Sequence, residues 1–145
     1  MSETGHGPSE DSAPAILVVD DYLPNRVALR ALLAPIAEIA DVASGPRAID
    51  ELARRDYAVV VLDVQMPGMD GVEVAGHMKA LERCRDVPII FVTAFGQDPN
   101  EIHRAYAAGG ADYLVKPLDP DIVRKKVAVF ANLRRKHSDG ADAPR

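Results

Sequence analysis

Five short runs of apolar residues, rich in β-branched side chains, constrain the fold of this chain more than any other feature. They cover residues 15–19, 39–42, 58–62, 88–92 and 113–115. Runs of this length and composition are typical of β-strands. Three of them are apolar without alternation, and a strand of that kind needs cover on both faces. The pattern therefore predicts a parallel sheet with helices on each side.

The segments between these runs have the periodicity of amphipathic helices. Ser44 suits an N-cap with Pro46 in the first turn, and Pro24 suits the first turn of an earlier helix. Apolar residues recur at helical spacing on four segments: Val27, Leu29, Leu32 and Leu33; Ala48, Ile49, Leu52 and Ala53; Val74, Met78 and Leu81; Val123, Val127 and Phe130. Residues 98–108 are less apolar, so we expect their helix to be held most loosely. The alternation of strand and helix predicts a doubly wound α/β domain with right-handed crossovers.

Composition limits the class of protein. The chain has 145 residues and a formal net charge of −5, which fits one ordinary domain and argues against a nucleic-acid binder, whose surface should be basic. Its lone Cys84 can form no internal disulfide, and no apolar run approaches the roughly 20 residues that cross a bilayer. We therefore predict a cytoplasmic protein without a membrane segment. The ends, 1–14 and 138–145, are rich in Gly, Ser, Pro and acidic residues, which predicts disordered tails around a folded domain at 15–137.

Polar residues follow four of the predicted strands. Asp20 and Asp21 follow the first strand, Asp63 the third, Thr93 the fourth and Lys116 the fifth. Because the carboxyl ends of parallel strands lie along one edge of a sheet, where ligands bind in such folds, we expect these five side chains to converge. Taken singly, each has a simpler interpretation: an acidic pair often caps the next helix, a threonine often ends a strand, and a lysine is often a solvated surface charge. Their joint placement is what favours a site.

Three carboxylates at one edge repel one another unless a cation lies among them. Mg²⁺ suits such a site because it prefers oxygen ligands and is usually held by one or two carboxylates and by phosphate oxygens. No Cys or His cluster has the spacing of zinc ligands. A carboxylate beside Mg²⁺ can also attack phosphorus and form an aspartyl phosphate. Asp63, alone at a strand end before the tight Pro67-Gly68 loop, is the expected nucleophile, with Lys116 and Thr93 contacting the phosphoryl oxygens.

Four segments resemble the receiver domain of bacterial two-component response regulators. They are ILVVDD from Ile16, VVVLDVQMPGMDG from Val59, PIIFVTA from Pro88 and ADYLVKPLD from Ala111, and the resemblance covers about residues 15–136. It implies an α/β fold of the flavodoxin-like, doubly wound kind, with five parallel strands in the order 2-1-3-4-5 and five helices.

The resemblance also assigns roles to single residues. It implies that Asp63 is the phosphoacceptor and that the acidic pair, Asp20 and Asp21, belongs to the metal site. In that site Mg²⁺ is expected to bind Asp21, the Asp63 carboxylate and the backbone carbonyl of Gln65. The Lys116-Pro117 dipeptide resembles the family's cis-prolyl junction, a geometry that costs little only before proline.

Three residues match the family's switch. Thr93 corresponds to the switch hydroxyl, Lys116 to the lysine that pairs with the phosphate, and Tyr113 to the aromatic residue that changes orientation on activation. Two nearby positions differ from the usual pattern. Gly110 stands where Ala is more common, and Phe95 is a large apolar residue close to the switch threonine.

The function that the resemblance implies is a phosphorylation-activated signalling switch that catalyses only its own phosphorylation and dephosphorylation. A sensor histidine kinase or a histidine phosphotransfer protein would donate the phosphoryl group, and a downstream protein would recognise the result, without direct contact to nucleic acid. Two other classes stay open. One is a pseudo-receiver that signals by contact without phosphorylation. The other is a Mg²⁺-dependent phosphohydrolase, which usually needs a second carboxylate where this chain has Gln65. A phosphorylation-dependent homodimer is likewise open.

Overall fold

The structure, a computed structural model, describes residues 14–94 and 98–141, in which five strands alternate with five helices. The strands are β1 (Ala15–Val19), β2 (Glu38–Val42), β3 (Val59–Asp63), β4 (Ile89–Thr93) and β5 (Asp112–Val115). The helices are α1 (Leu23–Leu33), α2 (Gly45–Arg54), α3 (Gly71–Ala80), α4 (Pro99–Ala107) and α5 (Pro120–Ala141). Each strand begins and ends within one residue of the predicted run.

Helix α5 ends at Ala141 and so continues beyond His137, the predicted end of the folded domain. Each added residue continues the backbone hydrogen-bond ladder, so a helix once formed extends through residues of modest propensity. Residues 1–13 and 142–145 of the predicted tails lie outside the described residues, and their disorder stays a prediction. In the part of the chain that the structure describes, no helix combines the length and apolar content needed to span a membrane.

All five strands pair in parallel, in the order β2-β1-β3-β4-β5. This confirms the predicted parallel sheet and the strand order that the resemblance implies. The chain moves outward from β1 to β2 and then returns past β1 to β3, so the strand order reverses between β1 and β3. There Val19 pairs with Leu62, which places the residues after both strand ends side by side. In doubly wound sheets, ligands bind beyond the strand ends at such a reversal.

Apolar side chains fill both faces of the sheet because alternate residues of a strand point to opposite faces. On one face, Leu17 and Leu62 lie in a cluster with buried residues of α2, α3 and α4. On the other face, Val18 and Val61 lie with buried residues of α1 and α5. Cover on both faces explains why the strand sequences are apolar without alternation.

Helix α4 contributes little to this core. Among its residues, 99–107, all of which the structure describes, only Ala105 is buried. Its N-cap is Asp98, whose carboxylate accepts a hydrogen bond from the backbone N–H of Asn100 at 2.9 Å. The small buried surface supports the prediction that this helix is held most loosely.

Candidate functional site

Three carboxylates meet where the strand order reverses. Asp20 follows β1 and Asp63 ends β3, and both are buried, with 1% and 3% of their surface exposed. Asp21 is exposed beside them, and carboxylate oxygens of all three residues lie within 4.8 Å of one another. Like charges at this spacing repel, so the cluster is suited to a hard divalent cation with oxygen ligands. In the described part of the chain, no other group of His, Cys, Asp or Glu residues has this geometry.

Asp20 is held by hydrogen bonds on both of its carboxylate oxygens. Oδ1 accepts from the backbone N–H of Tyr22 at 2.9 Å, and Oδ2 accepts from Nδ2 of Asn25 at 3.2 Å. The backbone carbonyl of Asp20 accepts from Nη1 of Arg26 at 2.9 Å. The N-cap position of α1 belongs to Tyr22, which makes no side-chain capping bond. Neither Asp20 nor Asp21 is therefore the N-cap residue of α1, although Asp20 accepts a hydrogen bond from the backbone N–H of that residue.

Asp63 lies between a cation and an anion. Its Oδ1 accepts a hydrogen bond from the backbone N–H of Gln65 at 3.1 Å, and its Oδ2 accepts from Nζ of Lys116 at 3.3 Å. Burial raises the pKa of Asp63 above its ordinary value, the nearby Asp20 charge raises it further, and Lys116 opposes both effects. A carboxylate perturbed by burial together with specific charged neighbours is typical of functional sites.

The loop between β3 and α3 fixes the strand end that carries Asp63. Gly68 has a φ of 77°, a conformation that glycine adopts without steric cost, so the chain can turn sharply there. Gly71, the first residue of α3, lies so close to β3 that a Cβ would be 2.3 Å from the carbonyl oxygen of Asp63. Asp70 and Glu73 close a capping box at the same helix end. Helix α3 is thereby packed directly against the end of β3.

An open groove of about 410 Å³ adjoins this loop and is lined by Val64, Gln65, Met66, Pro67, Asp70 and Arg104. Arg104 comes from α4, and its Nη2 lies 3.3 Å from the Asp70 carboxylate. This ion pair connects the loosely held helix to the loop that follows Asp63.

Thr93 and Lys116 reach the same edge from β4 and from the residue after β5. Thr93 ends β4 and is buried, with 4% of its surface exposed. The backbone N–H of Lys116 donates to the Thr93 carbonyl at 2.9 Å, which joins the two strand ends. The Lys116-Pro117 peptide is cis, as the resemblance implies. Contacts thus bring together Asp20, Asp21, Asp63 and Lys116, and strand position places Thr93 at the same edge.

Tyr113 lies half-buried on β5, and residues from both flanking helices contact it. Its ring meets the ring of Tyr106 on α4 edge to face, with centroids 6.0 Å apart and planes at 82°. Nζ of Lys126 on α5 lies 4.9 Å from the Tyr113 ring centroid and donates to the Tyr113 carbonyl at 2.9 Å. A change in the orientation of Tyr113 would therefore change its contacts with both α4 and α5.

Sequence reasoning missed Asn25 and Arg26, the two residues that hold Asp20. The sequence carried a signal for them, because the first turn of a helix that begins at Leu23 lies next to the end of the preceding strand. Polar residues in that turn lie within reach of the carboxylate that follows the strand.

The size of Phe91 explains Gly110, where the family more often has Ala. A Cβ at position 110 would lie 2.7 Å from Cδ2 of Phe91 and 2.8 Å from the carbonyl oxygen of Ala105. Phe91 is completely buried in β4 and lies within the apolar cluster on that face of the sheet. The glycine therefore accommodates the large neighbour. Phe95, the other unusual residue, lies outside the described residues.

Comparison with known proteins gives matches over most of the chain. The response regulator receiver domain family matches residues 16–128. The chain is 35% identical over 123 residues to the cyclic di-GMP phosphodiesterase response regulator RpfG of Xanthomonas campestris. The matched region covers 83% of this chain and 32% of that protein. It is 36% identical over 120 residues to the response regulator PleD of Caulobacter vibrioides, covering 82% of this chain and 25% of that protein. The chain thus spans about a third or less of the length of these relatives.

Solved structures share the fold. The chemotaxis protein CheY4 of Vibrio cholerae superposes with a TM-score of 0.77 at 25% identity, covering 82% of this chain and 99% of that one. The receiver domain of the sensor histidine kinase PA1611 from Pseudomonas aeruginosa gives a TM-score of 0.76 at 27% identity, covering 83% and 99%, and has a magnesium ion coordinated in its active site cleft. A family match that runs from β1 into α5, on a sheet with the implied strand order, shows that this chain belongs to the response regulator receiver domain family.

Proposed function

We propose that this chain is a phosphorylation-activated switch of a two-component system, with Asp63 as the phosphoacceptor. The observation that carries the proposal is the position of the Asp63 carboxylate, which lies in the acidic cluster and 3.3 Å from the Lys116 ammonium. Phosphoryl transfer depends mostly on alignment and on neutralisation of charge. A buried carboxylate with a fixed cation on one side and a cation-binding cluster on the other supplies both.

The donor set of the cluster fits Mg²⁺. All three side chains offer carboxylate oxygens, Asp21 is open to solvent, and the chain passes Gln65 directly after the Asp63 strand end. We assign Asp21, Asp63 and the backbone carbonyl of Gln65 as ligands, with Asp20 as the buried charge behind them. Bound Mg²⁺ would neutralise the repulsion among the carboxylates and the incoming phosphoryl oxygens.

The reaction proposed for Asp63 is a nucleophilic displacement at phosphorus. A carboxylate oxygen of Asp63 forms the new P–O bond while the P–N bond of a phosphohistidine breaks and the electron pair returns to the imidazole nitrogen. Lys116 and the Thr93 hydroxyl contact the phosphoryl oxygens and hold the group in place. Hydrolysis of the aspartyl phosphate by water restores the carboxylate, so the chain turns over no substrate besides its own phosphoryl group.

Phosphorylation adds negative charge at the strand edge and changes the partners of Lys116 and Thr93. In the proposal both move toward the phosphoryl group, and Tyr113 changes orientation in response. Because α4 has a single buried residue, it is the helix most easily displaced by that movement. The consequence is a population shift between two arrangements of the surface formed by α4, β5 and α5.

The proposed phosphodonor is a sensor histidine kinase or a histidine phosphotransfer protein, and the proposed target is a downstream protein that recognises the altered surface. Both act in the cytoplasm in our proposal, and we place this domain there. Light scattering during size-exclusion chromatography, with and without beryllofluoride, tests for a phosphorylation-dependent homodimer: a doubled mass with beryllofluoride would establish it.

The experiment that tests the phosphoacceptor is labelling by acetyl phosphate and Mg²⁺, followed by intact mass spectrometry. The parent should gain one phosphoryl group, and Asp63→Asn should gain none. Asp86→Asn, which removes an exposed carboxylate of the α3–β4 connection, is the matched control and should label like the parent. Labelling of Asp63→Asn at the parental rate would show that the assignment is wrong, and absence of labelling in the parent would favour the pseudo-receiver.

A further inference from the structure

We propose that Asn25 is a positioning residue of the Mg²⁺ site, which acts by fixing the orientation of the Asp20 carboxylate. This inference rests on the proposed function. Nδ2 of Asn25 donates to Oδ2 of Asp20 at 3.2 Å, while the other oxygen of Asp20 accepts from the backbone N–H of Tyr22 at 2.9 Å. With one donor on each oxygen, the plane of the carboxylate is fixed. Asn25 supplies the side-chain half of that restraint.

Burial makes the restraint effective. Asp20 has 1% of its surface exposed, so few water molecules are available to replace the amide of Asn25. Asn25 lies in the first turn of α1 and is itself partly buried, which limits the movement of its side chain. Without the amide, Oδ2 loses this hydrogen bond and the carboxylate can rotate about Cβ–Cγ. The charge that faces Asp21 and Asp63 would then be spread over several orientations.

Arg26 contacts the main chain of Asp20 and not its carboxylate. Its Nη1 donates to the backbone carbonyl of Asp20 at 2.9 Å, and its Nε lies 3.8 Å from the carboxylate of Asp41 on β2. Arg26 therefore holds the main chain between two strand ends, whereas Asn25 holds the carboxylate. The division makes Asn25 the residue whose replacement perturbs the metal site without removing a tie between the strands.

The direct test is calorimetric titration of the full chain with MgCl₂. Groups that orient the side chains of a metal site typically contribute 10–100-fold to affinity. Asp20 lies behind the assigned ligands, so Asn25→Leu, which keeps the size and removes the donor, should raise the Kd for Mg²⁺ by about 10-fold, the lower end of that range. Asn25→Ala should weaken binding similarly and serves as a second variant if the leucine perturbs folding. Asn132→Leu, an exposed position on α5, is the matched control and should leave the Kd unchanged.

A double-mutant cycle separates positioning from a general structural effect. If Asn25 acts through Asp20, then Asn25→Leu should change the Kd by less than about twofold in an Asp20→Asn background, because the interacting pair is already broken. Equal weakening in both backgrounds, or a Kd for Asn25→Leu within twofold of the parent, would overturn the positioning role while leaving the phosphoacceptor assignment intact. Absence of Mg²⁺ binding by the parent would instead refute the proposed function, and the inference with it.

Discussion

Replacement of Gly71 by Ala tests whether the close approach of α3 to β3 fixes the strand end that carries Asp63. The added Cβ would lie 2.3 Å from the Asp63 carbonyl oxygen and 2.9 Å from Cα of Val64. Both are backbone atoms, so no side-chain rotation relieves the contact. Ordinary contacts begin near 3.4 Å, and the helix end must therefore move by about 1 Å.

The expected cost follows from two effects. Overpacking of this kind costs about 1–3 kcal/mol. The movement also weakens the hydrogen bond from the Gly71 N–H to the Val64 carbonyl, now 2.9 Å, which contributes about 1 kcal/mol. The higher helix propensity of Ala offsets up to about 1 kcal/mol. We expect a net loss of about 2 kcal/mol in the free energy of unfolding, or roughly 4–8 °C in Tm for a chain of this size.

Urea denaturation followed by circular dichroism measures the loss, with Gly76→Ala on the same helix as the control. A Cβ at position 76 would have no heavy atom within 4 Å, so this variant should gain about 0.5–1 kcal/mol from propensity alone. Labelling by acetyl phosphate should also slow in Gly71→Ala, because the displaced backbone is that of Asp63. Equal stabilities of Gly71→Ala and Gly76→Ala would refute the steric reasoning.

Three further predictions concern buried groups. Because the pKa of Asp63 is raised in the folded state, that state binds the extra proton, and the free energy of unfolding should fall as the pH rises from about 4 through the folded-state pKa. Without Mg²⁺, Asp63→Asn should therefore be more stable than the parent in urea at pH 7, and the difference should shrink near pH 4. Gly110→Ala should lose about 1–3 kcal/mol through the contacts of its Cβ with the Phe91 ring and the Ala105 carbonyl oxygen, and the same substitution should cost less in a Phe91→Leu background. Burial and the hydrogen bond to Glu51 raise the pKa of Tyr57 to about 12 from its ordinary value of 10.0, so the parent should lose stability as the pH rises from 10 to 12. Tyr57→Phe should lack that alkaline loss and should cost about 1 kcal/mol at neutral pH, both measurable by denaturation across the pH range.

The elements and their order could be predicted from local sequence. The side chain of Ser44 caps α2 by accepting a hydrogen bond from the backbone N–H of Arg47. Each apolar run forms a strand within one residue of its predicted bounds. Such features depend on residues close together in the chain. The strand order came from the family resemblance, because several orders bury the same apolar runs equally well.

The features of the site also divide into those that the sequence predicts and those that it does not. In a parallel sheet the carboxyl ends of all strands lie along one edge. The sequence alone therefore predicts that Asp20, Asp63 and Lys116 lie at the same edge. The contact of Asn25 with Asp20, the fit of Gly110 against Phe91 and the burial that contributes most to the raised pKa of Asp63 could not be predicted.

The sequence by itself determined which residues form strands and helices and which polar groups follow the strands, because both depend on the pattern of residues that are close together in the chain. Only the tertiary structure decided which of those groups touch, how deeply they are buried and what holds them. Hydrogen bonds and steric overlap change over a fraction of an ångström, and that distance is set by strand register and helix packing across the whole domain.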